Sequence, residues 1–72
     1  MYLNYPHIFV NPLTGNKVAQ GCIFNDEKGR FEDGTYIHTS SIVKEFEEDE
    51  KHFIETKNSV YELRGEITRD DR

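Results

Sequence analysis

The dipeptide Asp33-Gly34 constrains this chain most. It stands directly before Thr35-Tyr36-Ile37-His38-Thr39, a run of β-branched and aromatic residues. Asp-Gly beside such a run is a strong short-range signal for a hairpin. Strand side chains alternate, so Thr35, Ile37 and Thr39 share one face while Tyr36 and His38 take the other. Ile37 is the expected core anchor and Tyr36 the expected rim residue, with Ser40 and Ser41 ending the strand.

The flanking chain reads in the same way. Residues 1–6 are expected to form an N-terminal arm: Tyr2, Leu3 and Tyr5 are too apolar for a free tail, and Pro6 excludes a helix. His7 to Val10 is a short β-rich run, closed by the turn Asn11-Pro12-Leu13-Thr14-Gly15-Asn16. From Lys17 to Asn25, Val18, Gln20, Cys22 and Phe24 share one face; Ala19, Gly21 and Ile23 share the other. Gly21 predicts a bulge or a close backbone approach. Asn25 to Arg30 turns the chain, with Gly29 placed for the left-handed position. Val60 to Arg64 is the last expected strand, and residues 66–72 read as a polar C-terminal tail.

Residues 42–57 admit two readings. As a hairpin, Ile42 to Glu47 pairs with His52 to Lys57 around Glu48-Asp49-Glu50-Lys51. As a helix over about 41–57, Ser40 or Ser41 would cap it and Asn58 would end it. The helix would place Asp49, Glu50 and Lys57 inside its buried stripe, so the hairpin is preferred. The sum is one mainly-β domain over residues 1–72. Five or six short antiparallel strands form a strongly bent sheet or small open barrel of SH3-like size, with α+β as the alternative.

Composition narrows the function classes. At 72 residues only about 60% of the unfolded chain's surface is buried on folding, which leaves room for a homodimer, with the arm completing it. Four Tyr and five Phe supply the bulk that a leucine-poor core lacks. Fourteen acidic residues against nine basic ones give a net charge of −5. That charge repels phosphate backbones and suits a partner protein with a basic surface. The single cysteine, Cys22, forms no internal disulfide, which fits a reducing cytoplasm. The first residues lack the basic and apolar regions of a signal peptide, and no apolar run approaches the ~18 residues of a membrane span.

The pattern Phe31-x-Asp33-Gly34-x-x-Ile37-x-Thr39-Ser40, then Ile54-x-Thr56-x-Asn58-Ser59-x-Tyr61-x-Leu63, resembles a motif of short uncharacterised proteins encoded on phages, prophages and integron gene cassettes. The resemblance spans residues 31–63. It implies a compact β-domain of mobile-element origin and brings no known active site. Physically, Thr39-Ser40 and Asn58-Ser59 supply short side chains that hydrogen-bond backbone at strand ends, and Ile37, Ile54, Tyr61 and Leu63 form the shared core.

No reaction centre can be assembled from these residues. His7, His38 and His52 lack metal-ligand spacing, Cys22 sits in an apolar strand, and the glycines stand in turns. No enzyme, cofactor or metal is therefore expected. The candidate partner-binding residues are the carboxylates Glu45, Glu47, Glu48, Asp49 and Glu50 at the hairpin tip, with Tyr2 and Tyr5 of the arm. The function expected is non-enzymatic protein binding by a mobile-element protein, such as an inhibitor of a host defence complex of the anti-CRISPR kind. The alternatives are a small β-barrel contacting nucleic acid through Tyr2, Tyr5 and Tyr36, and a self-assembling cassette protein.

Overall fold

A computed structural model describes residues 1–70 of the chain. Every regular element among them is a strand: β1 (Tyr2–Val10), β2 (Lys17–Phe24), β3 (Thr35–His38), β4 (Ile42–Glu48), β5 (Lys51–Thr56), β6 (Val60–Arg64) and β7 (Thr68–Asp70). They form one open sheet in the order β3-β2-β1-β6-β5-β4, with β7 joined to β1. The mainly-β reading is borne out, and residues 42–57 are the hairpin rather than the helix. Seven strands lie among the described residues, and the sheet is mixed: β1 runs parallel to both β6 and β7.

β1 is the centre of the sheet, which corrects the expectation of an arm at residues 1–6. Tyr2 to Asn4 pairs with β2 on one side and β6 on the other, because Leu3 is a core side chain fully shielded from water. Pro6 is also buried. Its missing N–H is tolerated in a central strand because the ladder breaks there. β1 pairs with β6 at residues 2–4 and with β7 at residues 7–9, and its register to β2 shifts between Asn4 and His7. This is a β-bulge, with Tyr5 in the left-handed region at φ 49°. Gly21 lies against it; a Cβ there would sit 3.3 Å from the Asn4 carbonyl oxygen.

The bulge bends the sheet across itself. Strands far apart in order meet: Arg69 of β7 reaches Glu45 of β4. Leu3, Ile8, Ala19, Ile23, Ile37, Ile54, Tyr61 and Leu63 fill the space between, with Met1, Ile42 and Ile67 packed against them. Residues 66–72, expected as a tail, instead contribute Ile67 to this packing and β7 to the sheet; positions 71 and 72 lie outside the described residues. Three residues with one short partner give too weak an alternation to stand out in the sequence.

The motif residues act as strand-end fasteners. Thr39, buried, accepts a hydrogen bond on its hydroxyl from the Ala19 N–H (3.0 Å) and donates to the Ser40 carbonyl (2.8 Å). The Thr56 hydroxyl accepts from the backbone N–H of Asn58 and Ser59. The two halves of the motif meet where the Asn58 amide donates to the Ser40 hydroxyl at 2.9 Å. Asp33 accepts from the Asn25 N–H, and the Gly34 N–H donates to the Ile23 carbonyl, which closes the β2–β3 connection.

Two substitutions test this construction. Gly65 adopts φ 82°, and a Cβ there would lie 2.9 Å from the Tyr5 ring, so Gly65→Ala is expected to cost about 1–3 kcal/mol in urea unfolding. Thr39→Val leaves the Ala19 N–H without its partner and is expected to cost about 1–3 kcal/mol, with Thr39→Ser retaining most of the stability. A neutral Gly65→Ala would show that the bulge does not need its present geometry.

Candidate binding surfaces

The β4–β5 hairpin closes with the two-residue turn Asp49-Glu50. Both residues are left-handed, at φ 52° and 64°. The expected five-carboxylate tip divides on inspection. Glu45 lies away from it and is held by Arg69 at 3.0 Å. Glu47 stands 3.6 Å from His52 Nδ1, and Glu48 pairs in register with Lys51. Asp49 and Glu50 project at the turn, and among the described residues no hydrogen bond or ion pair holds either side chain. Tyr5, 70% exposed, stands at the same end of the sheet, since Leu3, Leu63 and His52 are in register and both Tyr5 and the turn lie two residues beyond. Tyr2 does not join them; it packs lower down, on the outer face.

That outer face carries a feature with no linear signature. Register places Phe24, Tyr2, Glu62, Phe53 and Phe46 in one row across β2, β1, β6, β5 and β4. Tyr2 stacks on Phe24 with centroids 5.1 Å apart, and Phe46 on Phe53 at 5.2 Å. The Arg64 guanidinium lies 3.8 Å from the Tyr2 ring centre, and Lys44 is over Phe46. Since β2 and β6 flank β1 on opposite sides, Tyr2 is sandwiched between Phe24 and Arg64. Arg64 also grips Glu62 through two bonds of 3.0 Å. This hydrogen-bonded guanidinium is the main reason the Glu62 carboxyl titrates below its ordinary range. Positions 2, 24, 46, 53 and 62 meet only through strand pairing, so no local pattern could have found them.

The three histidines fall in two places. His7 and His38 flank Gln20 in register, His38 Nδ1 lies 2.9 Å from the Gln20 amide nitrogen, and the Tyr36 hydroxyl donates to Gln20 Oε1. His52 belongs to the other side of the sheet. No group of three His, Cys, Asp or Glu among the described residues could hold a metal ion. No helix of the described residues is long and apolar enough to cross a membrane. Asp26 organises the loop after β2, accepting N–H bonds from Lys28, Arg30 and Phe31. Desolvation, the largest single influence, pushes its carboxyl upward; the Arg30 guanidinium and these N–H groups together outweigh it and hold it below the ordinary value.

Compared with known families, the chain matches over residues 11–71 the model described as a domain of unknown function, DUF6957, and it belongs to that family. No curated protein and no solved structure matches it.

The depressed carboxyls fix the sign of an acid response. Each contributes stability present above its unfolded value, 4.5 for Glu62 and 3.8 for Asp26, and loses it as pH falls through the lower folded value. Urea midpoints are therefore expected to drop between about pH 5 and pH 2, and Glu62→Gln is expected to flatten part of that drop. An unchanged slope in Glu62→Gln would count against the Arg64 pairing.

Proposed function

We propose that this DUF6957 domain is a non-enzymatic protein-binding module that docks on a basic partner surface through its β4–β5 hairpin tip. The observation that carries the reading is the turn. A two-residue hairpin turn with both central residues left-handed is met at least cost by Asn-Gly. Here those positions hold Asp49, which tolerates the left-handed region, and Glu50, for which it costs about 1–2 kcal/mol. Neither side chain recovers that cost through a hydrogen bond or ion pair among the described residues. Strain retained without an internal benefit points to a use outside the molecule.

The carboxylates of Glu47, Glu48, Asp49 and Glu50 would meet lysines and arginines, and the surrounding charge of −5 would steer such a partner in. The resemblance of residues 31–63 to phage, prophage and cassette proteins makes a cytoplasmic host defence complex, basic where it binds nucleic acid, the first partner to try. Base stacking on the aromatic residues has less support, because Tyr2, Phe24, Phe46 and Phe53 stack on one another or on cations.

A single double variant separates folding from function. Asp49→Asn with Glu50→Gly is expected to raise the unfolding free energy by about 1–2 kcal/mol. It is also expected to weaken capture of a basic partner at least ~10-fold. Recovery of the same host proteins by the wild type, this variant and Glu48→Lys/Asp49→Lys would overturn the proposal.

A further inference from the structure

The outer row of rings has a symmetry that suits one occupant. Read across the strands it runs ring pair, charged residue, ring pair: Phe24 and Tyr2, then Glu62, then Phe53 and Phe46. We propose that this face is the interface of a homodimer, in which a two-fold axis along β6 stacks the sheets of two copies. Such an axis sets Tyr2 and Phe24 of each copy over Phe53 and Phe46 of the other, the self-complementary arrangement an isologous contact requires.

Charge selects a second copy over a basic partner here. In a chain of net charge −5, the cations around the row stand opposite acids: Lys44 faces Glu55, Lys51 faces Glu48, and Arg64 holds Glu62. Two such surfaces meet without the carboxylate repulsion that other approaches between copies would bring. The Glu62–Arg64 pair lies at the axis, where each guanidinium can be shared by two carboxylates. The sheet's edges discourage association the other way. β3 has four residues, and β4 is bulged between Ile42 and Lys44 and heavily charged. A hollow of about 400 Å³ beside the row, floored by Met1, Phe53 and Val60, can receive projecting side chains of the second copy. Aromatic side chains with a central arginine are also the composition that dominates binding energy at interfaces.

Five strands at about 4.8 Å spacing span roughly 20 Å measured around the curved sheet, and the curvature draws β2 and β4 away from the axis, so the contact falls at the small end of specific interfaces. The dimer is therefore expected to dissociate in a micromolar or weaker range. Sedimentation equilibrium of the full chain should show a mass of 8.5 kDa at low concentration, rising towards twice that value between about 1 μM and 1 mM. Glu62→Arg places four guanidiniums at the axis and should hold the chain monomeric, whereas Glu62→Arg/Arg64→Glu should restore association. Phe46→Lys, on the edge strand, should also give a monomer with an unchanged circular-dichroism spectrum. Glu48→Lys/Asp49→Lys changes the tip and should leave association intact, which keeps this test separate from partner capture. A wild-type chain monomeric throughout, or a dimer that survives both Glu62→Arg and Phe46→Lys, would overturn the proposal.

Discussion

The fold depends on how β1 passes Gly21. At Tyr5-Pro6 the central strand carries one residue more than its β2 neighbour, and the ladder on its other side changes from β6 to β7. A proline in the middle of a sheet ordinarily removes a needed donor. Here it occupies the gap between two partners, and Tyr5 takes a left-handed conformation to make the bend. Gly65 accommodates the Tyr5 ring from the other side. Without that extra residue, Leu3 and Ile8, five positions apart, would point to opposite faces of the sheet. With it, they close on Ile54, Tyr61 and Leu63, and a chain of 72 residues acquires an interior.

The same bend decides what faces outward. A single curled sheet has one side for the core and leaves the other uncovered, so the outward members of each strand pair must be stable in water or find cover. Phe24, Tyr2, Phe53 and Phe46 meet this partly by stacking on each other and partly under Arg64 and Lys44. The hairpin tip is the chemical opposite of this row. It is acidic and conformationally costly, the side chains of Asp49 and Glu50 have no hydrogen bond or ion pair among the described residues, and it projects beyond the row. The two surfaces differ in chemical character, one built of rings and paired charges and the other of carboxylates.

Residues 31–63 were legible because their information is local. Asp33-Gly34 marks a turn in any context, Ile37 alternates with polar neighbours, and Thr39 and Thr56 sit where strands end and backbone groups need short partners. The choice of hairpin over helix at residues 42–57 was also local, since a helix would have buried Asp49, Glu50 and Lys57. The errors have a common cause. Residues 1–6 looked like an arm, and residues 66–72 like a tail, because parallel pairing joins segments that are distant in the chain and leaves no turn between them to recognise. Glu45 looked like part of the tip for the same reason: Arg69, which draws it away, is a β7 residue.

The sequence by itself determined that this is a small β-domain with a turn at Asp33-Gly34 and an acidic hairpin tip, because turn chemistry, alternation and charge act over a few residues; the ring-built core that composition suggested is instead aliphatic apart from Tyr61. Only the tertiary structure decided that β1 is the centre of the sheet and that Tyr2, Phe24, Phe46, Phe53 and Glu62 form one row. Strand register is a long-range property. It is set by which side chains the closed core accepts, and a linear reading has no access to that selection.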